Sequence, residues 1–479
     1  MSQLPDYVAS AQPNSFENRA PWLTTTAATY AGIMLWFVFW ANLPGGGASY
    51  AGGVLSQGLL FAIFSLVIAA FICYAFFYHV PGMLGMKTGL PLYIVGTSTY
   101  GVKGGFIMPG FMMGCLQFGW LAVNGYGAGL GFALLGGFAT HGLVHIGIGA
   151  VWATIAALVG LTGIKYVGMI ASYFPIIPIA ALFVLLALTI GGVFSFNPQA
   201  AIEACVVAAA EAGQTIEPVG LYGIGFLGSL AGQLGVLALI CTYVVGFFAT
   251  AGAAGCDFGS NNKDRNAVIF GGLVGIFGAI IFTGAIALIA VAGAQAALVG
   301  SESPLNPYVS IQLIMGSQLG GAFWLLLVLA AFPAACFSSL IAANSFKATL
   351  PKVNPFISCG IGTVVACILI VVIVQGVPMV TVFKFIGASF GPICGAMMAD
   401  YLLSGKKWAG PREGFNPAGW ISWGVGFLVG GLPILFAWFA AVIPCPPVAA
   451  FVVGFALYYI LARCGLESKK LDMPQRIDV

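Results

Sequence analysis

The sequence predicts an all-α integral membrane protein with twelve transmembrane helices. Hydrophobic residues make up 60% of the 479 residues and charged residues only 6%, whereas a soluble domain carries roughly 25% charged residues. Because so little charge cannot cover a water-facing surface, the lipid bilayer is the natural solvent for this chain. A membrane β-barrel would show short segments of alternating hydrophobicity, and the long continuous apolar runs exclude that architecture.

Each predicted helix corresponds to an apolar run of at least about 20 residues, the length that spans a bilayer. Residues 104–164, for example, contain no Asp, Glu, Lys or Arg and hold at least two spans. Several runs are longer than one span requires, which indicates tilt, a break or an additional interfacial piece. The twelve spans are predicted near residues 22–43, 51–77, 105–137, 143–163, 166–194, 219–254, 267–295, 309–346, 356–375, 379–404, 418–440 and 445–464.

These spans divide the chain into five parts. They are an N-terminal tail at 1–21, five helices at 22–194, five helices at 219–404, two C-terminal helices at 418–464 and a tail at 465–479. The N-terminal tail lacks the pattern of a cleavable signal peptide, so the first apolar run is expected to be retained.

The basic residues predict the orientation, because they fall in alternate gaps between the spans. The exception among the 16 is Lys384, in the outer half of span ten. By the positive-inside rule, both termini lie in the cytoplasm of a multi-pass plasma (inner) membrane protein. No basic patch interleaved with aromatic residues indicates nucleic-acid binding. The 15 basic residues on the inner side are Arg19, Lys87, Lys103, Lys165, Lys263, Arg265, Lys347, Lys352, Lys406, Lys407, Arg412, Arg463, Lys469, Lys470 and Arg476.

The first span of each group of five contains a stretch with glycines. These stretches are Gly32 to Trp36 in span one and Gly246 to Gly255 in span six. Interrupted helices at matching positions of two halves are typical of inverted-repeat transporters with a binding site at the membrane midplane. This pattern predicts a five-plus-five fold with broken helices 1 and 6, although ordinary glycine-rich packing faces would give the same pattern.

Polar residues within the spans are the candidates for function. Gln117 and Trp120 share one face of span three, where an indole could stack on a flat ring while an amide bonds its edge. A lone amide can equally join two helices. Asp257 and Asp400, at the inner ends of spans six and ten, are expected to be solvated or paired with a nearby Lys, or else to form an inner gate contact.

Span eight carries Ala335, Ser338 and Ser339 at spacings i, i+3 and i+4. One carbonyl and two hydroxyls then converge on one face, and hard oxygen ligands of this kind suit Na⁺. Serine hydroxyls in a helix can instead bond to their own backbone. The 11 cysteines are scattered singly, and no Cys/His cluster predicts a metal centre.

Five stretches together resemble the nucleobase:cation symporter family of purine and cytosine permeases, and within it the cytosine permease branch. The resemblance implies twelve helices, a five-plus-five inverted repeat, alternating access and uptake of a heterocycle with Na⁺ or H⁺. The matching stretches are Gly85-Met-Lys-Thr-Gly-Leu90, Gly101-Val-Lys-Gly104, Gln117-Phe-Gly-Trp120, Val244 to Phe258 and Pro392 to Leu402.

The same resemblance implies the site residues. The cation would be bound by backbone oxygens of Gly32, Leu35 and Ala335 and by the hydroxyls of Ser338 and Ser339. The substrate pocket would comprise Trp36, Gln117, Trp120, Phe248, Thr250, Ala251, Gly252 and Asn344.

One departure from the cytosine permease pattern leaves the transported base open. That branch has Asn where this chain has Ala335 and Thr where it has the two serines. Ala335 and Asn344 resemble the hydantoin-carrying branch instead. The hydroxyls are retained, so Na⁺ remains the expected coupling ion.

The sequence therefore favours a cation-coupled importer of a nucleobase or similar neutral heterocycle. The alternatives are a five-plus-five carrier for an amino acid or vitamin, and a uniporter or channel without cation coupling. A membrane enzyme would need a nucleophile, paired carboxylates or a metal set at depth, and the sequence shows none. We expect no cofactor besides the coupling ion, and a monomer in the lipid bilayer.

Overall fold

The computed structural model describes residues 4–35, 39, 43–44, 53–162, 176–211, 227–297, 307–436 and 438–473. Within these residues, eleven helices are long and apolar enough to cross a membrane. Each has a counterpart among the twelve predicted spans. The remaining predicted span, near 22–43, is only partly covered by the described residues.

Where the described residues are continuous, short connections join successive helices. A single-residue interruption separates successive helices at Gly96, Ala254, Gly316 and Ala331. The helices are α1 Asp6–Ala9, α2 Ala28–Met34, α3 Leu59–Thr88, α4 Leu92–Val95, α5 Thr97–Leu135, α6 Leu143–Leu161, α7 Ile176–Ser195, α8 Pro198–Glu211, α9 Leu230–Ala253, α10 Gly255–Gly259, α11 Arg265–Ala296, α12 Pro307–Met315, α13 Ser317–Ala330, α14 Phe332–Thr349, α15 Pro355–Val374, α16 Met379–Leu403, α17 Pro417–Leu435, α18 Phe439–Val442 and α19 Pro446–Arg463.

Several membrane helices contain irregular turns. A π-helical turn interrupts α3 at Cys73–Tyr78 and α5 at Phe106–Phe111, where Pro109 removes a backbone donor. Gly101, with a φ of 79°, bends the chain at the start of α5. The predicted span 309–346 is divided at Gly316, whose φ of 81° favours glycine. These turns account for the apolar runs that exceed one membrane thickness.

The predicted break in helix 6 is not confirmed. α9 is continuous through Gly246 and Gly252, and the chain turns only at Ala254 before α10 begins. A Cβ added to Gly252 would lie 2.8 Å from the Phe77 Cβ, so this glycine lets α9 approach α3 closely. The break in helix 1 was predicted at Gly32 to Trp36. α2 ends within this stretch, at Met34, and Trp36 lies outside the described residues, so this break stays a prediction.

The apolar side chains form two cores. The larger one joins α2, α3, α9, α11, α16 and α19 with one side of α5, and α16 packs extensively along α19 and α9. A second core lies between α5, α6, α14 and α15, where small residues dominate. It includes Ala156, Ala157, Ala335, Ala342 and Ile370. Small residues let these four helices approach closely.

A buried ion pair fixes the C-terminal end of α16. The Arg412 guanidinium donates to the Asp400 carboxylate at 2.9 Å and to Glu467 at 2.6 Å. Burial by itself lowers the pKa of Arg412, but Asp400, Tyr458 and Glu467 raise it above its ordinary value. The expected ion pair of Asp400 is therefore present, with an arginine from the next loop rather than a lysine.

The same carboxylate also holds the start of α5. Asp400 accepts hydrogen bonds from the hydroxyls of Ser98, at 2.7 Å, and Thr99, at 3.3 Å. Tyr458 of α19 bonds both Arg412 and Glu467, at 3.2 and 3.0 Å. This network connects α16, α19, the C-terminal tail and the start of α5. We call it the inner clamp, after the predicted cytoplasmic side of the membrane.

Candidate substrate and cation site

Trp120 and Thr250 join two membrane helices within the predicted site. The indole Nε1–H of Trp120 on α5 donates to the hydroxyl of Thr250 on α9 at 3.1 Å. Both side chains are buried. A buried indole N–H normally requires such a partner, so this bond fixes the orientation of the ring.

Two further aromatic rings surround Trp120. Phe247 of α9 meets its indole edge-on at a centroid distance of 4.9 Å, and Phe383 of α16 lies tilted at 5.5 Å. Neither residue was predicted from the sequence. Phe247 directly precedes the predicted Phe248, and Phe383 precedes Lys384, the single basic residue at depth. Those neighbours were the signals that could have identified them.

The next turn of α9 contacts helix α2. Tyr30 donates its hydroxyl to the Ala251 carbonyl at 2.8 Å, and its ring lies 5.7 Å from Phe248, which is fully buried. Thus the predicted residues Phe248 and Ala251 are held by Tyr30, another residue that was not predicted from the sequence. Gly252 completes this turn at the close contact between α9 and α3.

Gln117 and Asn344 are placed on neighbouring helices. Gln117 is buried, and its amide donates to the Met113 sulfur at 3.5 Å, a weak acceptor. Asn344 lies on α14 with an exposed side chain. The adjacent Ser345 donates to the Gly110 carbonyl of α5, which places Asn344 beside α5. The remaining predicted pocket residue, Trp36, lies outside the described residues.

The predicted cation ligands divide between α2 and α14. α2 ends at Met34, and the carbonyls in the last turn of a helix lack partners within it. Gly32 and Leu35 belong to this region. α2 packs mainly on α11, whereas α14 packs on α5 and α6. The two groups of predicted ligands therefore belong to different packing units.

The two serines of α14 differ in their hydrogen bonds. Ser338 donates to the Ala334 carbonyl of its own helix at 3.4 Å, as expected for back-bonding. The Ser339 hydroxyl is buried without a partner among the described residues, although such a group normally has one. Ser339 lies against Gly160 of α6, 3.0 Å from where a Cβ would stand. An orphaned hydroxyl is compatible with a cation ligand.

A groove large enough for a ligand lies elsewhere on the molecule. It has a volume of about 450 Å³, runs between α6 and α15 and is lined by apolar side chains such as Leu158, Phe356 and Ile368. Several of these are exposed on the outer surface of the helices. None of the predicted site residues that the structure describes lines this groove.

The sequence of residues 23–409 matches the family of permeases for cytosine/purines, uracil, thiamine and allantoin. The chain belongs to this family. The match covers both predicted groups of five helices. Membership of a permease family supports transport over the alternative of a membrane enzyme. A comparison with curated protein sequences gave no match.

Solved structures similar to this permease establish its fold. Mhp1, described as a nucleobase-cation-symport-1 family transporter, is 16% identical in both of two states. In a closed conformation with bromovinylhydantoin bound, the TM-score is 0.59, with 96% of this chain and 95% of that chain covered. In an inward-facing conformation the TM-score is 0.64, with 98% and 96% covered.

More distant transporters share the architecture. A Na⁺-coupled sialic acid symporter is 13% identical, with a TM-score of 0.53 and coverage of 97% of this chain and 93% of that chain. The manganese transporter of Eremococcus coleocola is also 13% identical, with a TM-score of 0.53 and coverage of 95% and 97%. This permease is therefore a multi-pass membrane protein with a transporter fold. Transporters of different solutes share that fold.

Proposed function

We propose that this permease imports a nucleobase or a related neutral heterocycle, of the cytosine or purine class, by symport with Na⁺ through alternating access. The observation that carries the proposal is the buried bond between Trp120 and Thr250 inside an aromatic cluster. This bond joins α5 of the first predicted half to α9 of the second. The indole of Trp120 is suited to stacking on a flat ring.

The chemistry of this cluster favours a neutral ligand. Trp120, Phe247 and Phe383 offer aromatic faces and edges, and Gln117 offers an amide. No basic residue belongs to the aromatic cluster or to the predicted pocket residues. An anionic solute would instead want a cation or a helix N-terminus in the pocket. A flat ring with polar edges satisfies both kinds of side chain.

Cation coupling is supported by the buried Ser339 hydroxyl and by the carbonyls at the end of α2. A cation bound between α2 and α14 would contact both packing units. Alternating access could then couple binding of the ion to the relative position of these units. Mhp1 is described as a cation symporter, which agrees with this proposal.

Transport into proteoliposomes tests the proposal directly. Purified permease should accumulate radiolabelled cytosine, uracil, hypoxanthine or a hydantoin when a Na⁺ gradient points inward. Accumulation should collapse when Na⁺ is equal on both sides. If none of these rings is taken up under any gradient, the substrate assignment is wrong.

A uniporter without cation coupling is the second candidate. The back-bonded hydroxyl of Ser338 favours it, because a hydroxyl that bonds its own helix needs no ion. In this case the same vesicles would equilibrate the ring at identical rates with and without Na⁺.

A further inference from the structure

Asp257 is an acidic residue at the inner end of the helix that carries the candidate site. It lies on α10, five residues after Gly252, and its side chain is half-buried. Its carboxylate accepts a hydrogen bond from the backbone N–H of Leu92 at 3.0 Å. Asp257 therefore joins the end of α9–α10 to the segment between α3 and α5.

The carboxylate of Asp257 has no cationic partner within the part of the chain that the structure describes. The two ion pairs among the described residues both belong to Arg412. The titratable groups that face Asp257 are Tyr30 of α2, Tyr93 of α4 and its own neighbour Cys256. Lys87, on the helix α3 that packs against α10, donates instead to the Lys406 carbonyl at 2.7 Å.

A partly buried carboxylate without a cation holds its proton more tightly than one in water. Burial raises the pKa of Asp257 from its ordinary value of 3.8 to about 6, and the hydrogen bond from Leu92 offsets only part of this effect. Asp400, unlike Asp257, has a cationic partner, because its carboxylate lies 2.9 Å from the Arg412 guanidinium.

Tyr30 connects Asp257 to the candidate site. Its hydroxyl bonds the Ala251 carbonyl, and its ring packs edge-on against Phe258, at a centroid distance of 5.1 Å. The same ring lies against Phe248. A displacement of α10 would therefore act on the turn of α9 that contains the predicted substrate residues.

We propose that Asp257 is a proton-binding residue that latches the inner end of α9–α10 to the segment at Leu92, separate from the predicted Na⁺ site. We call this contact between Asp257 and Leu92 the latch. The inference deepens the proposed function, on which it rests for its role in transport, because it assigns a proton site to the same permease.

The sign of the effect follows from linkage. The latched arrangement binds a proton more tightly than an arrangement in which water surrounds Asp257, so protonation favours the latch. Stability of the latch is therefore gained as pH falls below about 6 and is lost as pH rises through that value. Between pH 7.5 and pH 5.0 the latched fraction relative to the open one should rise about tenfold.

Hydrogen–deuterium exchange of the full-length permease, without substrate, tests the latch. After correction for intrinsic rates, protection of the amides in Leu92–Val95 should be constant above about pH 7. It should increase about tenfold from pH 7.5 to pH 5.0. A profile in the unmodified protein that stays flat down to pH 4.5 overturns the proposal, and this measurement needs no variant.

Two substitutions make the test specific. Asp257→Asn removes the titration, so protection should be high and independent of pH. Asp264→Asn is the matched control, because Asp264 also accepts a backbone N–H, from Ala267 at 2.7 Å, but is exposed. It should retain the pH dependence of the unmodified protein. If Asp257→Asn folds and keeps the tenfold change, another group is responsible and the proposal fails.

Transport provides a separate readout. At a fixed Na⁺ gradient, Asp257→Asn should abolish the dependence of uptake on internal pH between about 5 and 7, whereas Asp264→Asn should keep it. Because the exchange experiment needs no substrate, an absence of heterocycle uptake would count against the proposed function alone. A flat exchange profile would count against the latch alone.

Discussion

At the scale of single residues, the orientation of Trp120 limits what it can do for a ligand. Its N–H is already used by Thr250, so the indole can offer its face and its edge but no hydrogen bond. Polar recognition of a ring must come from other side chains. Gln117, whose amide donates to a thioether, and the exposed Asn344 are the available groups.

Substitutions on α5 should therefore separate stacking from hydrogen bonding. Trp120→Ala should weaken the binding of every substrate, since the stacking surface is lost. Gln117→Leu should change the ranking of bases that differ in their exocyclic groups, because an unpaired polar edge costs roughly 1–3 kcal/mol, or about ten- to hundredfold in affinity. Competition of labelled uptake by cytosine, uracil, hypoxanthine and a hydantoin measures both effects.

The exposed Trp438 supplies a control for the loss of an indole. Trp438→Ala should leave affinity and ranking unchanged. If Trp120→Ala and Gln117→Leu also left both unchanged, α5 would not line the pocket, and the substrate assignment would lose its structural basis.

The two serines of α14 make a second prediction possible. Ser339→Ala removes a buried hydroxyl that has no partner among the described residues, so it should not lower the thermal stability of the ion-free protein. It should nevertheless weaken the dependence of uptake on Na⁺, and Ser338→Ala with Ser339→Ala should weaken it further. Uptake measured against Na⁺ concentration, with melting curves without Na⁺, tests this.

The two readouts separate the possible roles of these serines. A loss of stability with an unchanged Na⁺ response would mean that Ser339 contributes to packing between α14 and α6 rather than to ion binding. Thr363→Val provides the control, because the Thr363 hydroxyl bonds its own helix, at the Cys359 carbonyl.

At the scale of helices, the inner clamp is the most strongly polar buried contact among the described residues. Removing one partner of a buried ion pair leaves the other charge uncompensated and costs roughly 3–5 kcal/mol. Arg412→Met should therefore lower the melting temperature sharply, since both Asp400 and Glu467 lose their cation. Melting of the detergent-solubilised protein measures the effect.

Arg463 offers the matched control at the end of α19. It is an exposed arginine whose contact is the Tyr459 hydroxyl at 3.4 Å. Arg463→Met should change the melting temperature little. Equal losses in the two variants would show that the inner clamp contributes no more than a surface charge.

The helices show how far sequence reasoning reaches. Eleven of the twelve spans predicted from uninterrupted apolar runs correspond to membrane helices of the structure. The prediction works because the bilayer requires continuous helices of a minimum length. The irregular turns were not located, since Gly101 and Gly316 differ from other glycines only in their backbone angles. The partner of Asp400 was missed as well, because Arg412, Tyr458 and Glu467 meet only after three segments have folded together.

The candidate site was predictable only in part, because the sequence pattern encodes positions along one helix but not contacts between distant helices. Gln117 and Trp120 share a helix face, which spacing alone predicts. The contact of Trp120 with Phe383 joins residues that are distant in the chain, and no periodicity encodes it. Positions in the pocket came from the resemblance, and the cation ligands remain a prediction.

At the scale of the whole molecule, the division into two cores bears on how the permease could alternate. α6, α14 and α15 line the smaller core, α2, α9 and α16 line the larger one, and α5 contributes side chains to both. Trp120 belongs to the larger core, so the Trp120–Thr250 bond joins α5 to α9 within that core. We therefore expect this bond to persist when the units move, together with the other contacts within each core.

The final prediction concerns the orientation of the molecule in the membrane. The basic residues indicate that the loop after α16 is cytoplasmic and that the loop between α5 and α6 is external. Ala139 and Lys407 are exposed in these two loops. In a Cys464→Ser background, which removes an exposed native thiol, Ala139→Cys should react in intact cells with an impermeant thiol reagent. Lys407→Cys should react only after the membrane is opened. The reverse pattern would place both termini outside, and the latch at Leu92 would then respond to the external pH instead of the cytoplasmic one.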